Sequence, residues 1–324
     1  MLIGVSFGLA ACALWGMTYL LPVLLPDYDA MYIAISRAFV MGAVSFVLIV
    51  LFFDKFRALT KADWLFASKI TLIGNLIQCW FLMLSVEYAG VPVAGICFGA
   101  VPVLVALISN ERARRQGKPF VKYKKLALPL LCIFVGFVMV NATELEEFMA
   151  AGGASSSTFF LGLLCGIIST LMWTWYPIRN ADWLLAHPQV SPTVWTCAQC
   201  LLLFPIAAFV YLIVWYCDPS PVMSSPLGPM PIRYLGLMVF AGVCCSWLAT
   251  ALWNMCSAKL PTALVGQLLV FETIFSVLYG HIHRMQWPTM LLTIGFLLLL
   301  AGISYALKIF GDLQKESENK IPTS

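Results

Sequence analysis

Two ionisable side chains, Arg37 and Glu272, lie deep inside long uncharged apolar runs of this 324-residue chain. If those runs cross a membrane, each charge costs about 2.5–3.5 kcal/mol when central and unpaired, so both are candidates for function. At 100° per residue, Leu268, Glu272, Phe275, Ser276, Tyr279 and His283 share one helix face. A carboxylate with a hydroxyl one turn away and a phenol beyond could hold a cationic group. Burial favours its neutral form, so it could also exchange protons. The alternative is a protonated Glu hydrogen-bonded to a neighbouring helix. Arg37 could tie helices together, snorkel to the interface, or pair with a substrate carboxylate.

Polar stripes at helical spacing run through two other segments. Thr71, Asn75, Gln78 and Ser85 fall at i, i+4, i+7 and i+14, and Ser246, Thr250, Asn254 and Ser257 at i, i+4, i+8 and i+11. Such stripes cannot face lipid, so they line a helix contact or a wet cavity. Trp15, Tyr19, Trp173 and Tyr176 lie in two further runs and could form an aromatic wall for a flat ring or a cation, although helix packing serves Trp15 equally well. The candidate binding set is therefore Glu272, Asn75, Gln78, Trp15, Tyr19, Trp173, Tyr176, Ser246, Thr250, Asn254, Ser276 and Tyr279, with Glu272 also the proton-coupling candidate.

Other chemistry finds little support. His281 and His283 lack further ligands at metal-binding spacing. Cys197 and Cys200 form a CxxC with no second pair, and most of the eleven cysteines sit in apolar runs as small packing residues. Nothing resembles a nucleotide-binding loop, so no cofactor, metal, direct ATP coupling or nucleic-acid partner is expected.

The elements that must position these residues follow from composition. The chain is 61% hydrophobic and 10% charged, with a mean hydropathy of +0.92, whereas soluble domains carry about 25% charged residues. There is too little charge to coat globular surfaces, so the surface faces lipid. Apolar stretches long enough to span a bilayer run approximately over 2–21, 31–53, 64–84, 92–109, 126–141, 158–177, 193–216, 234–255, 261–282 and 288–309. The first lacks a basic leader and reads as a spanning helix rather than a cleavable signal. Sixteen of the nineteen Lys and Arg residues fall on one side of a ten-helix topology, which places both termini in the cytoplasm. The basic run from Arg112 to Lys125 anchors that topology and could also attract anionic lipid.

The chain also repeats. A shift of 158 places Gly4, Gly8 and Trp15 on Gly162, Gly166 and Trp173; a shift of 169 places Pro92 on Pro261; a shift of 168 places Gln78 on Ser246. Residues 1–143 and 158–310 thus read as two five-helix halves joined by a linker over 144–157, with a tail over 311–324. Because five is odd, the halves must be inverted relative to one another, a plan that sets a binding site near the bilayer midplane.

Several motifs at these spacings resemble the drug/metabolite transporter superfamily, in particular its members built from EamA domains. They are Gly8 to Gly16 in the first span, Ser36-Arg37 in the second, Pro102 with Glu111 in and after the fourth, and Gly295 to Gly302 in the tenth. The resemblance implies a cavity lined by the first, third, fourth, sixth, eighth and ninth spans, and solute transport, commonly export. Two departures stand out: His281 occupies the place of a family Glu, and Val270-Phe271-Glu272 the place of a frequent mid-span Pro.

The expectation is an all-α, multi-pass protein of a bacterial inner membrane, monomer or homodimer, contacting lipid and a small-molecule substrate. It would be a secondary transporter exporting a small amphiphilic metabolite such as an amino acid, by alternating access and with protons as a candidate coupling ion. The alternative is an organic-cation carrier with an aromatic box. A membrane-embedded enzyme or a non-transporting scaffold is more remote.

Overall fold

The structure, a computed structural model, describes residues 2–150, 156–218, 225–285, 287 and 289–318. Residues 151–155 of the expected linker and 319–324 of the tail lie outside the described residues. Ten helices are long and apolar enough to cross a membrane: α1 (Leu2–Leu24), α2 (Ala30–Leu51), α3 (Lys61–Ala89), α4 (Val93–Arg115), α5 (Tyr123–Ala142), α6 (Ser157–Ala186), α7 (Pro192–Cys217), α8 (Pro231–Ser257), α9 (Thr262–His283) and α10 (Met290–Leu313). Each overlaps one stretch expected from the sequence.

Local chemistry starts these helices. Asp29 caps α2 by accepting from the Met31 N–H at 2.7 Å, and Ser191 caps α7 through the Thr193 N–H at 3.3 Å. Thr60 and Asp63 form a reciprocal capping box at the start of α3: Asp63 Oδ2 accepts from the Thr60 N–H at 2.8 Å, and Thr60 Oγ1 from the Asp63 N–H at 3.2 Å. Gly90, at φ 87°, lets the chain turn from α3 into α4.

Several helices depart from regular α geometry, among them α3, α4, α8 and α9. α3 winds as a π-helix over Leu72–Ile77, and α8 does so over Val243–Leu248. α4 is interrupted at Ala100, just before Pro102, and α9 at Leu269. Pro102 cannot donate a backbone hydrogen bond, and a π turn widens the backbone register, so each site is a weak point in an otherwise regular ladder.

The chain packs as two compact units. The first comprises residues 1–71, 182–259 and 271–286, holding α1, α2, α7, α8, the start of α3 and the end of α9. The second comprises residues 72–181, 260–270 and 287–324, holding α4, α5, α10, most of α6, the rest of α3 and the start of α9.

Within the first unit, small residues bring helices together, as expected where apolar surface alone cannot drive association in lipid. A Cβ on Gly42 of α2 would lie 2.3 Å from the Phe204 nitrogen of α7, and one on Gly242 of α8 would lie 2.4 Å from Val40 Cβ. Gly16 of α1 seats against Phe275 of α9 in the same way. Tyr28, Tyr32 and Tyr234 close one end of the unit. Tyr28 stacks on Tyr234 with ring centroids 4.4 Å apart, Tyr32 donates to Asp218 Oδ2 at 2.8 Å, and the Tyr234 hydroxyl donates to the Tyr32 carbonyl at 3.1 Å. Asp63 is held by more than its cap, since Trp183 Nε1 donates to its Oδ1 at 2.9 Å while the Trp183 ring stacks on Trp195 at 3.5 Å.

In the second unit α5 and α10 cross at glycines, where a Cβ on Gly136 would lie 2.8 Å from the Gly295 carbonyl oxygen and one on Gly302 equally close to that of Pro129. Gln267 of α9 donates to the Pro102 carbonyl at 3.0 Å. Gly74, inside the α3 π-helix, abuts the Tyr176 ring of α6.

Candidate functional site

In the first unit, Glu272 stands near the start of the longer segment of α9, half-buried. Tyr19, in the short 3₁₀ turn that follows the regular part of α1, points its hydroxyl at Glu272 Oε1 over 3.4 Å, longer than a settled O–H···O bond. The close seat of Gly16 against Phe275 and Ser276 brings α1 near enough for this approach. Fully buried Cys12 lies beside Glu272 on the α1 side. Arg37 of α2 acts electrostatically on Glu272 and on Cys245 of the α8 π-helix. Its guanidinium makes no hydrogen bond or ion pair among the described residues.

Further along the Glu272 face, Ser276 returns its hydroxyl to the Thr273 carbonyl at 2.9 Å, and Tyr279 stacks loosely on Phe275 with centroids 6.0 Å apart. Trp15 leans on Trp253 of α8 at 5.3 Å and 48°. The α8 stripe turns toward helix contacts. Asn254 is fully buried and donates to Thr196 Oγ1 at 2.8 Å and to Gln199 Oε1 at 2.9 Å, both on α7. Ser246 donates to the Ala241 carbonyl at 2.9 Å across the π-helical turn, and Thr250 and Ser257 are buried. Thr71, the first residue of the α3 stripe, donates to the Gln199 carbonyl.

The other four candidates belong to the second unit. Gln78 and Ser169 bond reciprocally, Gln78 Nε2 donating to Ser169 Oγ and that hydroxyl to the Gln78 carbonyl, each at 3.0 Å. Asn75 is half-buried within the π-helix. Trp173 stacks on Tyr176 at 5.2 Å and faces Phe98 of α4 at 6.2 Å. His281 donates from Nδ1 to the Val277 carbonyl at 3.0 Å, so it caps its own turn. Among the described residues no group of three His, Cys, Asp or Glu side chains could hold a metal.

A ten-helix chain with glycine crossings and an intramembrane carboxylate can be set against known proteins. The EamA-like transporter family matches residues 2–142. The inner membrane protein YtfF of Escherichia coli (strain K12) is 33% identical over 311 residues, covering 95% of this chain and 96% of its own. The chain belongs to the EamA-like transporter family. A solved crystal structure shares its fold at a TM-score of 0.70 and 19% identity, covering 94% of this chain and 97% of the other.

This EamA-like protein is thus a multi-pass integral inner-membrane transporter of the drug/metabolite transporter superfamily, and not an enzyme. Its family setting gives the charges their meaning, because a transporter must open a polar path through lipid. Sequence reasoning located Glu272 but not the approach of Tyr19 and Cys12 to it. No sequence pattern brings Tyr19 to Glu272, 253 positions later; the nearest signal was Gly16, a small residue one turn from Tyr19. The tyrosine network and the Asp63–Trp183 bond were not foreseen either, since tyrosines near span ends read equally as an interfacial belt.

Proposed function

We propose that this EamA-like transporter carries a small amphiphilic metabolite, an amino acid or a close relative, by alternating access, and that Glu272 receives its ammonium group and exchanges protons with it. The observation that supports this is the arrangement around Glu272: a half-buried carboxylate in a membrane helix, approached by one phenol at 3.4 Å. Such a group is expensive in hydrocarbon unless it faces a wet path or a charged ligand. Trp15, Phe275 and Tyr279 supply apolar surface nearby for the rest of the substrate.

Both termini lie in the cytoplasm in this reading, and residues 1–143 and 158–310 form inverted halves. The paired irregularities support the repeat. The π-helices fall in the third span of each half, and the interruptions at Ala100 and Leu269 fall in the fourth, separated by the same 169 residues that relate Pro92 to Pro261. Export is the direction the family weights.

An organic-cation carrier is the second reading, favoured by the Trp15–Trp253 pair within one turn of Cys12 and Cys256.

The test is flux into proteoliposomes with and without a pH gradient, comparing the native protein with Glu272→Gln. Uptake that responds to the gradient and is lost in the variant supports the reading. Uptake that survives with unchanged pH response removes Glu272 from it.

A further inference from the structure

In the second unit the connection between α4 and α5 is densely charged: seven basic side chains fall between Arg112 and Lys125, against the one carboxylate of Glu111. Both flanking helices are apolar enough to cross a membrane. Arg114 and Arg115 close α4, and Lys124 and Lys125 stand in the first turn of α5, directly before buried Leu126. The charges therefore lie where the spans leave hydrocarbon, at the height of lipid headgroups.

The backbone between them is fixed. Gly117, at φ 67°, ends α4 in a Schellman turn, the Lys118 N–H donating to the Ala113 carbonyl at 2.9 Å and the Gly117 N–H to that of Arg114 at 3.1 Å. Asn110 then clasps the returning chain: its Nδ2 donates to the Val121 carbonyl and its Oδ1 accepts from the Val121 N–H, each at 2.8 Å, with both side chains buried. The Lys125 N–H closes onto the Lys122 carbonyl at 2.8 Å to begin α5.

The side chains divide into two sets. Glu111 accepts from Nε and Nη2 of Arg114 at 2.8 and 2.7 Å, from Nε of Arg115 at 2.8 Å, and from the Tyr123 hydroxyl, so one carboxylate ties the end of α4 to the start of α5. Lys118, Lys122, Lys124 and Lys125 are left exposed, with no ion pair among the described residues. Between Lys118 and Lys122 in the chain, and next to the clasped Val121, Phe120 is 40% exposed. A small soluble anion has no use for that ring. A phospholipid uses both, because its phosphate adjoins apolar carbon.

We propose that the α4–α5 connection is a binding site for an anionic phospholipid of the surrounding leaflet, its phosphate held by the loop lysines and its apolar part resting on Phe120. The site stands on the span ends and the loop geometry, and not on the transport role of Glu272.

The experiment titrates the full chain in detergent with palmitoyl-oleoyl phosphatidylglycerol and, separately, with phosphatidylcholine of the same chains, and counts bound lipid by native mass spectrometry. The native protein should bind the anionic lipid at least about tenfold more tightly. Each basic residue close to an anionic surface is worth about fivefold in affinity, so the triple variant Lys118→Gln, Lys122→Gln, Lys124→Gln should lose that preference. A control triple, Lys55→Gln, Lys61→Gln, Lys69→Gln, removes as much charge around the start of α3 and should keep it. Phe120→Ser, an exposed change that leaves the charge alone, should weaken binding about threefold and carries the test if the loop triple does not give a monodisperse elution profile. Equal affinity of the native protein for the two lipids, equal losses in the two triples, or no loss in either the loop triple or Phe120→Ser overturns the assignment. Displacement of the anionic lipid by inorganic phosphate at equal concentration overturns it too, in favour of a soluble anion.

Discussion

Two polar clusters in the first unit are built from similar residues and satisfied to different degrees. In the tyrosine cluster every hydroxyl named has a partner at ordinary distance: Tyr28 donates to the Leu227 carbonyl at 2.8 Å and accepts from the Met230 N–H at 2.9 Å, and Tyr32, Ser36 and Tyr234 bond in sequence. Around Glu272 the single phenol stands off at 3.4 Å. In a medium of low dielectric a saturated network rigidifies, whereas an unsaturated one is costly unless something else completes it. The first cluster fastens helices, and in the function proposed above the second is the one that a ligand would complete.

Substitutions can break that contrast. The largest effect is expected at Glu272: Glu272→Gln should lower transport by about 100-fold while leaving the thermal midpoint of the detergent-solubilised protein nearly unchanged. A large drop in that midpoint would place Glu272 with the fastening groups. Gly42→Ala comes next, because its Cβ would meet the backbone of Phe204, which cannot swing aside. We expect a loss of about 2 kcal/mol in stability, read by chemical or thermal unfolding, with transport by the folded fraction retained. Tyr234→Phe removes one hydroxyl from the saturated cluster and should cost about 1 kcal/mol, again without changing substrate preference. Tyr19→Phe is the smallest: a contact at 3.4 Å contributes little in the substrate-free state, so uptake should change by no more than about threefold. If it matches Glu272→Gln in severity, the phenol closes onto the carboxylate or the substrate during the cycle.

The spans were legible because hydrocarbon imposes so simple a rule. Long uncharged runs must be helices, and the observed ones overlap the expected ten, extended by a few residues where polar caps such as Thr60–Asp63 begin a helix before its apolar run. The face shared by Glu272, Ser276 and Tyr279 was legible for the same reason, periodicity within one helix. Contacts between helices were not. Gln78 and Asn254 announced themselves as polar and turned inward, but whether they meet water or another helix depends on axial rotations that sequence spacing does not set. The structure spends them on Ser169 and on Thr196 with Gln199. The π-helices carry no residue signature at all, as Leu72–Ile77 and Val243–Leu248 share little beyond their place in the chain.

The most direct measurement is proton movement driven by substrate. Proteoliposomes loaded with a pH-sensitive dye and given a phenylalanine gradient should show lumenal pH changes with the native protein and none with Glu272→Gln. An equal proton signal from the folded Glu272→Gln protein would contradict the claim that this carboxylate couples the transport cycle.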